Sequence, residues 1–282
     1  MSEPAATPRV SVVVPAYASA RFVAATMDSI LAQTFADFEL VVSDHSSVDG
    51  TWEILQEYAT DPRVRLLRLP AGGGAAANWN FVTREARGEF VKLVCSDDLV
   101  HPTCLAEQVA AMDAYPDAVM VAARRSVVDA AGHPLIRDRG LGGLRGRVPG
   151  EVAIRATVRA GTNLFGEPAS VLLRREPLLA EGGWDARYAF LIDEASYLRV
   201  LRHGALIALP RTLAGFRVSD QQWSVRLMRT QAREAKAFHR ELATARPGLL
   251  SAVDLRLGNA RADLNAVLRR AVYVWFRRRL RG

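Results

Sequence analysis

The sequence predicts an α/β protein with a doubly wound, mostly parallel sheet and a C-terminal helical extension. In the first 125 residues, short apolar runs rich in β-branched residues alternate with segments of helical spacing, which is the pattern of strand–helix units. The runs are apolar at nearly every position, as expected for strands buried on both faces of a parallel sheet. From residue 221 onward the spacing is helical, which predicts the extension.

The first part of the chain is predicted to contain five strands and four helices. Pro15 ends the first β-branched run, and Pro102 fits the first turn of a helix, where a missing N–H costs least. Asp49 and Thr51 are candidate caps of the second helix because their side chains can accept a backbone N–H. The strands are Val10–Val14, Phe38–Val42, Val64–Leu69, Phe90–Cys95 and Val119–Ala123, and the helices are Phe22–Leu31, Asp49–Tyr58, Ala75–Arg87 and one that begins near Pro102.

The second part of the chain is less regular. Glycine and proline are concentrated between residues 130 and 150, which predicts a loop or a linker. Two strands, Ala169–Leu173 and Leu206–Leu209, and a helix, Asp193–Leu201, are predicted after it. We expect this part to continue the same folding unit rather than to form an independent domain.

The composition excludes several classes of protein. The 282 residues include two cysteines, too few for a disulfide framework. The N-terminus lacks the basic start and apolar stretch of a signal peptide, and no apolar run reaches the ~18 residues that span a bilayer. We therefore expect a cytoplasmic protein. The formal charge of +7 is compatible with three kinds of partner: nucleic acid, a membrane surface or an anionic substrate.

Polar residues follow three of the predicted strands, at the sheet edge where ligands bind in open parallel sheets. Pro15–Tyr17 follows the first strand, Asp44 the second and Ser96–Asp98 the fourth. Adjacent carboxylates repel each other unless a cation or a donor lies between them. Asp97 and Asp98 therefore indicate either a Mg²⁺ or Mn²⁺ site or a solvated turn. A carboxylate at Asp44 can accept an N–H group of a nucleobase.

Together, the order and spacing of these motifs resemble glycosyltransferase family 2, whose members have the GT-A fold. The resemblance runs from Val10 to Ser224. The segments that carry it are Pro15–Tyr17, Val42–Thr51, Gly74–Asn78, Ala86–Phe90, Ser96–Asp98, Gly166–Arg175, Gly183–Asp185, Asp193–Arg199 and Phe216–Val218.

Members of this family transfer a sugar from a nucleotide diphosphate to an acceptor hydroxyl, with inversion at the anomeric carbon. The resemblance implies a UDP, dTDP or GDP sugar as donor, Mn²⁺ or Mg²⁺ as cofactor, and a saccharide or lipid-linked acceptor. A hexosyl- or deoxyhexosyltransferase of bacterial surface glycan synthesis is expected. The nucleotide site would consist of Pro15, Ala16, Tyr17, Asp44, Asn78 and Asp97, with Asp98 as the metal ligand.

The resemblance also implies roles on the acceptor side. Asp193 would be the general base that takes the proton of the acceptor hydroxyl, although an N-cap of the following helix explains this position as well. Glu167, Trp184 and Asp185 would contact the acceptor or the donor sugar, with Trp184 as a stacking platform.

The resemblance and the helical spacing together imply the domain boundaries. Residues 1–224 would form a GT-A catalytic domain, with 1–125 as its nucleotide-binding half and 151–224 as its acceptor half. Residues 225–282 would form a helical region with a basic amphipathic tail. Gln221–Trp223 would lie in a loop that closes over the donor.

Four departures from the family pattern bear on the site. Ala18 replaces the asparagine that usually follows the tyrosine. Cys95 stands where many members have the first acid of the metal motif. Ile192 precedes Asp193 where a second acid is common. Ser219 and Asp220 follow the late strand where many members have a metal-binding histidine, which Asp220 would replace.

The C-terminal residues account for most of the basic charge. Residues 261–282 hold seven arginines and one acid, a balance of +6, so residues 1–260 carry only +1. An apolar face opposite these arginines predicts a helix on an anionic membrane surface, with no role for nucleic acid. A helix docked on the catalytic domain and a homodimer interface are the alternatives. The face consists of Leu264, Val267, Leu268, Ala271, Val272, Trp275, Phe276 and Leu280.

Two other functions are compatible with parts of the sequence. A sugar-nucleotide pyrophosphorylase also uses an α/β sheet, but it needs a glycine-rich phosphate loop after the first strand, and Pro15–Ala20 contains no glycine. The same absence argues against a dinucleotide-binding dehydrogenase. A non-enzymatic binder of membrane or nucleic acid would act through the basic tail.

Overall fold

The structure is a computed structural model that describes residues 7–218 and 230–276, the last six of them by their backbone alone. A ten-stranded mixed sheet forms its centre. The strands are β1 Val10–Ala16, β2 Phe38–Asp44, β3 Val64–Arg68, β4 Phe90–Leu93, β5 Leu99–Val100, β6 Ala118–Val128, β7 Pro134–Arg139, β8 Gly146–Val148, β9 Val171–Arg174 and β10 Ala205–Arg217.

Helices cover the sheet and build the C-terminal region. In the described residues they are α1 Val23–Leu31, α2 Thr51–Gln56, α3 Gly74–Arg84, α4 Cys104–Ala114, α5 Gly150–Ala160, α6 Arg175–Ala180, α7 Ile192–Val200, α8 Gln231–Ala245 and α9 Ala252–Phe276.

The sheet has the order β3-β2-β1-β4-β9-β6-β10-β5, with β7 beside β6 and β8 beside β10. β1 pairs in parallel with β2 and β4, and β2 pairs in parallel with β3. β9 runs antiparallel between β4 and β6, so β6 and its parallel neighbour β10 run in the same direction as the first four strands. The carboxyl ends of these six strands therefore point to one edge, as the sequence predicts.

Successive residues of β1 pack on opposite faces of the sheet. Val12 belongs to one buried cluster together with Met27 of α1, whereas Val13 belongs to another together with Val82 of α3. Helices cover both faces. This confirms the doubly wound arrangement and explains why the early strands are apolar at nearly every position.

Residues 130–150 do not form the loop or linker that their glycines and prolines predict. Here β7 pairs antiparallel with β6, and β8 pairs antiparallel with β10. Most residues of both strands are exposed, so they lack the apolar run that marks a buried strand. β10 is also longer than the predicted Leu206–Leu209, because it continues through register shifts beyond Pro210 as far as Arg217.

α9 is docked on the body of the protein through small residues. A Cβ atom on Gly258 would lie 2.2 Å from the carbonyl oxygen of Val158 in α5. Ala262 and Ala266 are buried on the same helix. For residues 252–270, therefore, the structure has the docked arrangement that the sequence left as an alternative.

Much of the apolar face that the sequence predicts on α9 is exposed. Leu264, Val267 and Leu268 are 56%, 62% and 52% exposed. The side chains beyond residue 270, which the prediction also includes, lie outside the described part. None of the described helices combines the length and the apolar content needed to cross a membrane.

Candidate active site

A cavity of about 1040 Å³ opens at the carboxyl ends of β1 and β4 and extends to α8 and α9. This is the edge at which open α/β sheets bind ligands. Seven of the residues predicted from the sequence line it together: Pro15, Tyr17, Asn78, Asp97, Asp98, Glu167 and Asp193.

Aromatic and amide groups line the β1–β2 end of the cavity. The Tyr17 ring stands edge-on to the His45 ring, with 6.1 Å between the centroids. Asn78 Nδ2 donates to carbonyl oxygens at the ends of β1 and β2, at 3.1 and 3.3 Å, so it ties these two strands together. Asn78 Oδ1 is buried and accepts no hydrogen bond from a described residue.

Two residues of the predicted nucleotide site lie behind this surface. Ala16 and Asp44 are fully buried, and neither is part of the cavity lining. Asp44 accepts the backbone N–H of Ser47 at 3.3 Å and lies 3.5 Å from Arg68 Nη2. Because Asp44 is fully buried, a direct hydrogen bond from a base would require the surrounding residues to move.

The segment after β2 holds the turn after β1. The backbone N–H groups of residues 18–20 donate to Ser47 Oγ, Thr51 Oγ1 and Asp49 Oδ2, at 2.9–3.0 Å. Asp49 Oδ1 also accepts the Thr51 N–H at 3.2 Å, in the first turn of α2. These side chains therefore fix the cavity wall as well as the start of the helix.

Cys95, Asp97 and Asp98 follow β4 and face the cavity. One ligand atom from each lies within 4.8 Å of the other two. Asp98 Oδ1 accepts the backbone N–H of Arg217 at 3.0 Å, whereas the buried Oδ2 accepts no hydrogen bond from a described residue. Burial and the neighbouring Asp97 raise the pKa of Asp98 well above its usual range. A divalent cation fits this donor set because it would pair with the unpartnered oxygen and offset the repulsion.

Arg217 fixes the backbone of this acidic turn. Its Nε donates to the Asp97 carbonyl oxygen at 2.8 Å, and its Nη1 donates to the Ala130 carbonyl oxygen at 2.6 Å. The guanidinium group also lies over the Phe22 ring, 4.9 Å from its centroid. The sequence places Arg217 only within the late strand, because 120 residues separate it from Asp97.

Asp193 lies in the first turn of α7. The helix begins at Ile192, so Asp193 is already helical and does not occupy the N-cap position. Its Oδ2 accepts a hydrogen bond from Asn163 Nδ2 at 2.9 Å, and its Oδ1 accepts the backbone N–H of Glu194 at 2.7 Å. Burial raises the pKa of Asp193 to about 7, and the nearby charge of Glu167 adds to this rise.

Glu167 is close to both acidic parts of the cavity. Burial is the largest cause of the raised pKa values of Asp98 and Asp193, and the charge of Glu167 raises both further. Its carboxylate pairs with Arg125, whose Nη2 donates to Glu167 Oε1 at 3.1 Å. Arg125 is itself buried. The pair therefore holds Glu167 in a fixed position between the two parts.

A second buried acid lies next to Asp193. Burial and the adjacent Asp193 raise the pKa of Glu194 to about 8, while the charge of Arg269 lowers it in part. Arg269 belongs to α9, and its Nη1 and Nη2 donate to Gln231 Oε1 at 2.8 Å and Thr162 Oγ1 at 3.2 Å. The C-terminal helices thus reach the part of the cavity that contains Asp193.

Trp184 and Asp185 are not part of the cavity lining. Trp184 is 3% exposed, and its ring packs edge-on against Trp79 with 5.2 Å between the centroids. Asp185 is buried and paired with Arg187 and Arg199. A stacking platform needs an exposed ring, so this geometry favours packing over acceptor contact for Trp184.

Several functional candidates are recognisable only in the structure. No spacing rule connects them to the strand-end motifs, because tertiary packing alone brings them to the cavity. They are Arg125, Asn163, Glu194, Gln231 and Arg269. Ser219, Asp220 and the predicted donor-closing residues Gln221–Trp223 lie outside the described residues.

Comparison with known proteins identifies the family. A family model described as glycosyl transferase family 2 matches residues 11–178. Among curated relatives, the chondroitin synthase of Pasteurella multocida is 36% identical over 96 residues, which are 34% of this chain and 10% of that protein. The chain spans only 10–40% of the length of these curated relatives, among them the hyaluronan synthase of Pasteurella multocida.

Solved structures resemble the chain over most of its length. S. aureus TarS 1–349 in complex with UDP-GlcNAc has a TM-score of 0.70 at 20% identity, over 92% of this chain and 72% of that one. Mannosyltransferase PcManGT from Pyrobaculum calidifontis, in complex with GDP-Man and Mn²⁺, has a TM-score of 0.66 at 22% identity, over 96% and 76%. The fold is thus that of the GT-A glycosyltransferases. Because the family match spans more than half of its residues, the chain belongs to glycosyl transferase family 2.

Proposed function

We propose that the chain is an inverting glycosyltransferase that moves a sugar from a nucleotide diphosphate to an acceptor hydroxyl, in bacterial surface glycan synthesis. One observation carries the proposal: Asp193, with a pKa of about 7, lies in the same cavity as Asp97 and Asp98. Structurally similar proteins solved in complex with UDP-GlcNAc and with GDP-Man support the donor class. The glycan class is supported by relatives named chondroitin synthase and poly(ribitol-phosphate) β-N-acetylglucosaminyltransferase.

In this proposal the nucleoside lies near Tyr17 and Asn78, and the diphosphate lies near Asp97 and Asp98. The acceptor oxygen attacks the anomeric carbon while the bond from that carbon to the diphosphate oxygen breaks. The hydroxyl proton passes to the Asp193 carboxylate. Attack from the side opposite the leaving group inverts the anomeric centre. A base with a pKa near the working pH is effective in such a proton transfer.

Neighbouring side chains hold the reacting groups in place. Asn163 orients the Asp193 carboxylate, and Arg217 fixes the acidic turn. A divalent cation, when held by Asp97 and Asp98, would neutralise the charge that develops on the departing diphosphate. We propose Mn²⁺ or Mg²⁺ because oxygen ligands suit both ions.

We further propose that α9 places the enzyme on an anionic membrane surface. Leu264 and Val267 are more than half exposed. Arg261 and Arg270 are exposed on the same helix, and residues 261–282 carry a net charge of +6. An exposed apolar stripe beside arginines is the arrangement of helices that lie at a bilayer surface. This placement suits a lipid-linked acceptor, and liposome sedimentation measures it.

The catalytic proposal is tested with a panel of UDP, dTDP and GDP sugars in the presence of Mn²⁺. Asp193→Asn should lower transfer by about 10²–10⁴-fold and leave donor binding unchanged, as measured by calorimetry. Asp263→Asn removes an exposed acid of α9 and is the matched control, expected to leave both unchanged. Product NMR should show an inverted anomeric centre.

Two outcomes would oppose this proposal. Equal loss of transfer and donor binding in Asp193→Asn would remove the assignment of the base. If no sugar nucleotide is turned over and none protects the protein against heat, the proposed function fails.

A further inference from the structure

The cavity continues beyond Asp193 into a part built by α8 and α9. Its lining there includes Gln231, Ala235, Asn265, Leu268 and Arg269. Both helices lie outside residues 11–178, the segment that matches the family. Hydrogen bonds from Arg269 to Thr162 and from Asn163 to Asp193 place this part directly beside the base. An acceptor that delivers its hydroxyl to Asp193 would therefore occupy it.

Arg269 carries a charge that the residues around it do not neutralise. Its two hydrogen-bond acceptors, Gln231 and Thr162, are neutral, and it forms no salt bridge with a described residue. The acid that faces it is Glu194. This side chain is buried, and its pKa of about 8 leaves it largely protonated at neutral pH.

The guanidinium group of Arg269 is also held in a fixed plane. It lies over the Phe190 ring, 5.1 Å from the centroid, while the two hydrogen bonds fix its rotation. A guanidinium group has five N–H donors, and described residues engage two of them. A fixed planar cation with donors left for the cavity matches the oxygens of a phosphate or a carboxylate.

We propose that Arg269 anchors an anionic group of the acceptor, a phosphate or a carboxylate, in the part of the cavity formed by α8 and α9. This inference rests on the proposed function and assigns the acceptor class: a saccharide with a negative charge near the reacting hydroxyl. The anion pairs with Arg269, while Asp193 takes the hydroxyl proton.

Related acceptors with and without a negative charge test this proposal on the wild-type enzyme. With the donor found in the panel, transfer is measured to methyl glycosides, their 6-carboxylate counterparts and the sugar 1-phosphates, in the gluco and galacto series. We expect kcat/KM to favour an anionic acceptor over its neutral counterpart by about 10-fold or more, the scale of one charge-assisted pair. Comparison of the 6-carboxylate acceptors with the 1-phosphate acceptors shows which of the two anionic groups the site prefers.

Two adjacent arginines provide the matched variants. Arg269→Gln should abolish the preference for anionic acceptors, mainly through KM, whereas Arg269→Lys should retain part of it. Arg270→Gln, at the exposed neighbouring position, should keep the full preference. Hydrolysis of the donor without acceptor should be unchanged in Arg270→Gln, and calorimetry should show that all three variants still bind the donor, which would show that the donor site is intact.

Two results would overturn the inference. One is the absence of a charge preference in the wild-type enzyme. The other is an equal loss of transfer to neutral and anionic acceptors in Arg269→Gln, which would mean that Arg269 only positions the site. Both results leave donor turnover in place, so they are distinct from a failure of the proposed function.

Discussion

The pKa of Asp193 results from opposing interactions with named neighbours. Burial raises it, and so does the charge of Glu167, whereas the hydrogen bonds from Glu194 and Asn163 lower it. The resulting pKa of about 7 leaves a substantial fraction of the carboxylate charged at neutral pH. At the same time the carboxylate is more basic than an ordinary aspartate, as a general base requires.

Removing the hydrogen bond from Asn163 should make Asp193 more basic. Asn163→Ala withdraws a donor that favours the charged carboxylate, so the pKa of Asp193 should rise by about 0.5–1 unit. Activity requires the deprotonated base and falls as the pH drops below its pKa. The rising limb of kcat/KM against pH should therefore move to higher pH. Asn259→Ala, which affects an asparagine bonded to His239, is the control, and an unmoved or acid-shifted limb would contradict this assignment.

Single residues were predictable where a motif encodes them. Asp97 and Asp98 follow a buried strand, and Asp193 belongs to a segment that resembles the family, so the sequence alone marks all three as candidates, and all three line the cavity. Arg125 and Arg269 were not identified, because nothing in the local sequence distinguishes them from the other arginines of the chain. Their roles depend on burial and on contacts that only the folded chain provides.

The sequence predicts an amphipathic pattern for α9 but does not show which face docks. Hydrophobic periodicity selects the stripe that contains Leu264 and Val267, yet these side chains are exposed. The helix docks instead through Gly258, Ala262 and Ala266, because small residues allow close approach to α5. The apolar stripe is thus left on the surface. An exposed stripe of this kind is typical of an interaction site.

Membrane binding should depend on this stripe. The double variant Leu264→Gln/Val267→Gln should bind vesicles with 30% phosphatidylglycerol about 10-fold more weakly than the wild type, because less apolar surface enters the bilayer. Sedimentation with vesicles measures the difference, and phosphatidylcholine vesicles should bind both proteins weakly. Val152→Gln, at an exposed apolar position of α5, is the matched control.

Other occupants of the stripe would give different results. If the double variant binds vesicles as well as the wild type does, the membrane proposal is wrong. A wild-type dimer in analytical ultracentrifugation that the double variant dissociates would identify a second copy of the chain as the occupant.

The strands also show where sequence patterns succeed and where they fail. β1, β2 and β4 were predicted close to their observed bounds because burial on both faces makes most of their positions apolar. β7 and β8 were missed because each pairs along one edge and keeps most of its residues exposed. Their formation depends on partners far along the chain rather than on their own composition.

At the scale of the whole molecule, the fold brings several acids from distant parts of the chain to one cavity. Asp98, Asp193 and Glu194 each have a raised pKa, and burial is the largest cause in each case. A raised carboxyl pKa means that the folded protein binds protons that the unfolded chain has already released. The site is therefore a source of pH-dependent stability in the ligand-free protein.

The free energy of unfolding should fall as the pH rises from 6.5 to 8.5. Unfolded carboxyl groups are ionised throughout this range, whereas Asp193 and Glu194 lose their protons within it, at pKa values of about 7 and about 8. Glu194 alone accounts for about 2 kcal/mol over this interval. His239, whose pKa burial lowers, acts in the opposite direction but mostly below pH 6.5. Urea unfolding of the ligand-free protein at both pH values measures the change.

Glu194→Gln isolates the contribution of this side chain, because it keeps the shape of the residue without the titration. The variant should lose about 2 kcal/mol of the pH dependence and be more stable than the wild type at pH 8.5. Glu176→Gln, at an exposed position of α6, should follow the wild type. If Glu194→Gln keeps the wild-type slope, Glu194 is ionised in the folded protein at pH 6.5. It would then neutralise Arg269, and the physical reason to expect an anionic acceptor would be lost.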